Sequence, residues 1–536
     1  MIWLSWILWV GQPVVFEGGF LSQPDGAKPV VLIVDDFKLA YVGESIPKEW
    51  ANKIQQHLSL DGGYVLPGLI DAHAHLSSLG NALESVDLVG TSSYQEVVAR
   101  AKNRAAQLPK GTWITGRGWD QNDWETTEFP HHDALSQAVP DHPVVLKRID
   151  GHASLANALA MKLSGVTSDT KSPDGGVILS NESGPTGVFV DDAMGLILEP
   201  PMSVSDLERQ ISKASDHVAA LGLTAIHDAG IDENEWIALK NLAEAGKLPI
   251  RVYAMIAATD HKWLQRQLKQ GPLIDLYDGF LTLRSIKVYS DGALGSRGAW
   301  LKQPYSDAPD TVGLQLTPDN EMDVIVEQAA RAGFQVNTHA IGDRGNQWVL
   351  QHVAQAQKIG VLDASARFRM EHAQVVDPAD FDAFVKLGVL PSMQPTHCTS
   401  DMPWAPKRLG ARTTGAYAWR TFIEKGLPIP MGSDFPVEQP NPFLGLYAAV
   451  TTQDLDGQPA EGFRPTQKLS RTEALLGFTE WAAYSAFQED RKGKLEKGFW
   501  ADFTVTDRDY FAVPSHEIPR LNVLMTVVGG RVIFRR

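Results

Sequence analysis

Along the chain, short apolar runs alternate with longer segments whose apolar positions recur at helical spacing. Past residue 200 the runs are Leu223–His227, Ile250–Ile256, Leu283–Tyr289, Phe334–His339, Phe368–His372, Val389–Gln394 and Pro428–Ser433. Between them, Val204–Leu221, Asp232–Ala245, Asn320–Ala332 and Gly345–Ile359 read as helices, with Ser203 and Asp232 standing where an N-cap belongs. Repeated strand–helix alternation implies parallel strands joined by crossover helices. With Tyr64–His73 as the first strand the count reaches eight, so the expected fold is an α/β TIM (β/α)8 barrel.

Two regions fall outside that count. Strand-like pieces at Pro29–Val34, Leu39–Val42, Asp502–Thr506 and Val523–Phe534 sit near the two chain ends, the last carrying a Gly529–Gly530 hairpin signal. They are expected to form one small β-sandwich, discontinuous in sequence, from residues 1–60 and 491–536, around a barrel domain at 61–490. The stretch 77–201 is too long for a barrel loop and has its own helix, Tyr94–Gln107. It reads as a subdomain inserted after the first barrel strand, over the active site.

Composition narrows the chemistry. The chain has 536 residues, 48 basic against 64 acidic side chains, and a net charge of −16, a balance that argues against nucleic acid as partner. One cysteine, Cys398, excludes an intrachain disulfide framework and a cysteine-cage zinc site. Any metal must therefore be held by oxygens and some of the 15 histidines. The apolar start, MIWLSWILWV, is too short to span a membrane, and the first lysine is Lys28. Trp3, Trp6 and Trp9 there fall on roughly one helical face. The expectation is a soluble, cytoplasmic protein without a stable membrane span; an exported form with a missing leader stays open.

Metal-type side chains sit where the apolar runs stop. Leu66–His75 reads LPGLIDAHAH, and residues two apart on a strand point the same way, so His73 and His75 can converge on one ion. Lys287 lies within RSIKVYSD, His339 ends QVNTH, His372 ends RMEH and Asp434 ends IPMGSD. In a TIM barrel those C-terminal strand ends form the catalytic face. Four histidines and an aspartate suit a borderline divalent cation, zinc before manganese or iron.

HxH on the first strand, Lys on the fourth, His on the fifth and sixth and Asp on the eighth resembles the amidohydrolase superfamily. GRGWDQNDW (116–124), RIDGHASLANALAM (148–161), KVYSDGALGSRGAWL (287–301), THAIGDRGN (338–346) and GSDFPVEQPNPF (432–443) are similar to its YtcJ-like branch, also called amidohydrolase 3, which includes N-substituted formamide deformylases. The resemblance implies that His73, His75 and Asp434 hold one metal, that His339 and His372 hold a second, and that Lys287 is carboxylated to a bridging carbamate; a single ion beside unmodified Lys287 is the alternative. It implies hydrolysis of a non-peptide C–N bond (amide, N-formyl or cyclic amide) in a small molecule, by metal-activated hydroxide with Asp434 as proton shuttle. Ester, lactone or dipeptide hydrolysis and deamination compete, and a noncatalytic binding protein is the reading outside enzymes. His152 is placed to hydrogen-bond the substrate carbonyl as a second catalytic group, and Trp119, Asp120, Gln121, Trp124, Asp150 and His397 are candidate substrate contacts. Asp291 and Arg297 are either substrate ligands or a loop-fixing pair. The resemblance is also compatible with a homodimer.

Overall fold

The computed structural model describes residues 12–149, 152–173, 175–198 and 202–536. The expectations for Trp3, Trp6, Trp9 and Asp150 lie outside those residues. The chain forms two compact units: one runs to Leu76 and resumes over Ile211–Arg536, and the other is Ser77–Gln210.

In the first unit, seven parallel strands pair in chain order: Leu69–Ala74, Leu223–Ile231, Arg251–Ala257, Leu281–Tyr289, Gln335–Ala340, Arg369–His372 and Leu390–Ser392. Crossover helices include Glu233–Glu244, His261–Gln270, Asp319–Ala332 and Asp343–Lys358. Asp232 caps the first of these in a capping box with Glu235. Every residue of Leu69–Ala74 is buried, as in a parallel strand covered on both faces.

The eighth expected strand closes the ring without a regular ladder. Met393 and Met431 form a parallel bridge on one side. On the other, Ala72 donates its N–H to Met431 O (2.9 Å) and Asp434 to His73 O (2.7 Å). Pro428 and Pro430 lack the N–H groups that a continuous ladder uses. The approach at this seam is close: a Cβ on Gly432 would lie 2.4 Å from Asp71 Oδ1 and 2.5 Å from His73 N. A nearly closed parallel barrel of the TIM type is thus the core of the unit.

The apolar run Tyr64–His73 is not one strand. Tyr64–Pro67 pairs antiparallel with Phe503–Thr506, and only after Gly68 does the chain enter the barrel at Leu69. Gly68 donates to Asp502 O, and a Cβ there would stand 2.5 Å from Thr224 Oγ1, so the crossing from one sheet to the next needs glycine's bare backbone. The sheet it leaves draws strands from both chain ends: Val14–Leu21, Lys28–Asp35, Lys38–Gly43, Gln56–Ser59 and Tyr64–Pro67 from one, Phe503–Thr506, Val523–Val528 and Arg531–Arg535 from the other. Phe16, Leu32, Val65, Phe503, Val505 and Val527 meet in its core. Gly529 and Gly530, at φ of 56° and 74°, make the two-residue hairpin turn.

The unit Ser77–Gln210 holds a six-stranded sheet whose core includes Leu88, Val97, Trp119, Trp124, Leu135 and Leu146. Among the described residues no helix is long and apolar enough to cross a membrane.

Candidate active site

The barrel's strand ends bring the sequence-predicted ligands together. His73, His75 and Asp434 offer ligand atoms that all lie within 4.8 Å of one another, and so do His372, His397 and Asp434. Asp434 is common to both groups. Its Oδ1 lies 2.9 Å from His75 Nε2 and 3.6 Å from His73 Nε2, while Oδ2 lies 3.3 Å from His397 Nε2. Lys287, on the fourth strand, places Nζ 3.1 Å from His73 Nε2. His339 packs its ring against His372, centroids 4.5 Å apart, and its Nε2 has no hydrogen-bond partner, with Asp291 Oδ1 the nearest carboxylate oxygen at 3.7 Å. His372 and Asp434 hold φ of +73° and +62°, a left-handed backbone that costs a non-glycine residue about 1 kcal/mol or more and that concentrates at functional sites.

Hydrogen-bond partners stand behind these residues. Glu371, buried on the sixth strand, bonds His73 Nδ1. Gln394 Oε1 accepts from His372 Nδ1 at 2.7 Å. Asp71 accepts from His73 N, Ser433 N and Ser433 Oγ, clamping the seam at which His73 and Asp434 meet. None of Glu371, Gln394 and Asp71 stands out among the sequence motifs. The signal available was a charged or amide side chain inside an apolar run, which must find a partner when buried.

Burial sets the protonation of the cluster. It lowers His73 to about 4 and His339 to about 3, reinforced in both by the Lys287 charge, and it holds His372 well below the ordinary imidazole range. Burial works against ionisation of Asp434, but hydrogen bonds from His397 and His75 outweigh it and keep this carboxyl well below the usual range. Burial would also discharge His397; its bonds to Asp434 and Glu438 prevail and bring it up to about 10. Lys287 is pushed down to about 8 by burial.

These residues fit a divalent cation. A neutral imidazole that donates from Nδ1 to Glu371 leaves Nε2 without a proton, so at His73 a nitrogen lone pair, faced by Lys287 Nζ, and the Asp434 carboxylate converge. Two such donors side by side attract positive charge, which Lys287 supplies in part. Neutral imidazoles and an ionised carboxylate are the protonation states in which these side chains bind metal.

Other predicted site residues have different surroundings. Trp119 and Trp124, expected along a substrate wall, are core residues of the inserted unit. Trp119 is fully buried and donates Nε1–H to Leu146 O, and Trp124 donates to Thr91 O. Asp120 and Gln121 engage one cation, Arg148, at 2.6 and 2.9 Å. His152, in the same unit, lies with Nδ1 2.9 Å from Asp191 Oδ1 and is largely exposed. Asp291 and Arg297 do not pair. Asp291 is buried, accepts N–H from Trp300, Ile341 and Gly342, and is raised to about 7 by burial, whereas Arg297 pairs with Asp307. Asp291 thereby ties together the loops after the fourth and fifth strands.

Known proteins match this arrangement. The family model described as the amidohydrolase family matches residues 56–534. YtcJ of Bacillus subtilis (strain 168), whose name carries the word amidohydrolase, is 32% identical over 97% of this chain and 99% of its own. The N-substituted formamide deformylase of Arthrobacter pascens is 25% identical, covering 94% and 95% of the two chains. A solved structure described as an uncharacterized metal-dependent hydrolase from Pyrococcus horikoshii OT3 superposes with a TM-score of 0.79 at 30% identity, covering 94% of this chain and 99% of that one. Fold and family match coincide over nearly the whole length, and the chain belongs to the amidohydrolase family.

Proposed function

We propose that the protein hydrolyses a non-peptide C–N bond (an amide, N-formyl or cyclic amide) in a small molecule, using one or two divalent cations, zinc by preference. The observation that carries this reading is the convergence of His73 Nε2, His75 Nε2 and ionised Asp434 at the barrel's strand ends. A relative named for deformylating N-substituted formamides supports the bond class.

His73, His75 and Asp434 would hold one ion, and His339 and His372 the other. When bound, the ions would lower the pKa of a water molecule and polarise the scissile carbonyl. The remaining work falls to the chain. Asp434, ionised and oriented by His397, accepts the proton of the attacking water and delivers it to the departing nitrogen. His397, held positive between Asp434 and Glu438, keeps Asp434 aimed and its basicity low enough to give the proton up again. Lys287, lowered to about 8, has a usable neutral fraction near neutrality. In that form its nitrogen adds to the carbon of CO₂ and releases a proton, which leaves an anionic carbamate where a cation stood. The exchange of charge suits two cations better than one.

The test measures bound metal by elemental analysis together with hydrolysis of a panel of N-formyl, N-acyl, cyclic amide and ester substrates, before and after chelation. Metal-dependent turnover of C–N substrates, restored by added Zn²⁺, is expected. Chelator-insensitive turnover, or turnover of the esters alone, would overturn the proposal.

A further inference from the structure

We infer that Glu371 is a positioning residue for the metal site, the inner end of a buried brace that crosses the barrel and fixes which nitrogen of His73 faces the cation. This rests on the metal site proposed for the function and adds a residue to which that proposal gives no role.

Arg369 and Glu371 are two apart on the sixth strand and therefore share a face, and both are essentially without exposure. Arg369 reaches three other strands. Nη2 donates to Ala72 O of the first strand (2.6 Å) and to Ser392 Oγ of the seventh (2.9 Å). Nη1 lies 2.9 Å from His227 Nδ1 of the second. The same guanidinium donates from Nη2 to Glu371 Oε2 at 3.0 Å, and Nε lies 2.7 Å from Oε1 as a charge contact without a hydrogen bond's geometry. Oε2 in turn bonds His73 Nδ1. The carboxylate is thus immobilised from one side and presents an acceptor to the ring on the other.

A buried ion pair inside a barrel adds little stability over well-packed apolar residues, because desolvation of both charges offsets their attraction. Its specific contribution lies in direction. With His73 Nδ1–H committed to Glu371, Nε2 is the bare nitrogen, and Nε2 is the atom that lies toward Asp434 and Lys287. Partners of this kind behind a metal-binding histidine are typically worth 10–100-fold in metal affinity.

The experiment titrates cation-free wild type, Glu371→Asp and Glu371→Gln with Zn²⁺ against a chromogenic chelator, and records melting curves and the visible spectrum of the Co²⁺-loaded forms. Glu371→Asp keeps a carboxylate for Arg369 but withdraws it from His73 by one methylene. It is expected to melt cooperatively, to bind Zn²⁺ about 10–100-fold more weakly, and to shift the Co²⁺ bands. A folded variant with wild-type affinity and an unshifted spectrum would overturn the inference while the proposed metal site stands. Wild type that takes up no Zn²⁺ would overturn both. If Glu371→Asp does not fold, Glu371→Gln, which keeps the side chain's length, takes its place: weaker Zn²⁺ binding with shifted Co²⁺ bands is again expected, and wild-type affinity with an unshifted spectrum again overturns the inference.

Discussion

In the inserted unit, residues 116–124 commit their aromatic and polar groups to the unit's own backbone and to one cation: Trp119 to Leu146, Trp124 to Thr91, Asp120 and Gln121 to Arg148. At the barrel mouth, groups of the same chemical types point at each other instead. His73, His75, His397 and Lys287 all crowd one carboxylate, Asp434, or its neighbour. Both stretches are rich in Trp, Asp, Gln or His, and both read as chemistry in the sequence. The difference lies in register. Strand-end side chains from separate parallel strands must converge on the barrel axis, whereas a turn after a strand can close on its own core.

Four experiments break or sharpen that contrast. Asp434→Asn should lower kcat by about 10²–10⁴-fold with the fold retained; more than a tenth of wild-type turnover in metal-loaded mutant would remove Asp434 from proton transfer. Trp119→Ala should cost the inserted unit about 3–5 kcal/mol, seen as a lower melting transition with bound metal unchanged. A raised KM at unchanged stability would instead return Trp119 to a substrate wall. A third test uses pH on cation-free protein. His73 and His339 have folded-state values near 4 and 3 against an ordinary 6.5. Their neutral rings therefore contribute stability that is complete above pH 6.5 and is lost as pH falls through those values, since the unfolded chain binds protons that the folded one refuses. The denaturant midpoint should fall over that window, and His339→Asn should flatten the fall; an identical slope in the variant would deny that burial depresses this histidine. The smallest effect is expected for Arg297→Ala. Its partly exposed pair with Asp307 is screened by solvent and contributes little to stability, so neither the melting transition nor KM should move; a tenfold rise in KM would make Arg297 a substrate ligand after all.

The barrel was legible because its ligands recur at the ends of apolar runs, a pattern that survives without any knowledge of packing. The seam was less so: Tyr64–His73 reads as one strand, and only the close approach of Gly68 to Thr224 and Asp502 shows why it must divide. At the site, histidines and an aspartate at strand ends announce themselves by type and spacing. Glu371, Asp71 and Gln394 do not, because their importance depends on a partner brought near by the fold: Glu371 meets His73 from almost 300 positions away in the chain. Arg297 shows the converse, since proximity in sequence to Asp291 suggested a pair that the loop does not form.

The sheet shared by the two chain ends has a consequence for synthesis. Tyr64–Pro67 lies between Val14–Leu21, made shortly before it, and Phe503–Thr506, made about 440 residues after it. At ~5–20 residues per second, tens of seconds separate the emergence of the two. Through that interval the nascent chain carries an unpaired strand edge, the kind of template that recruits other strands. A strand edge laid down early therefore waits for one made about 440 residues later to cover it.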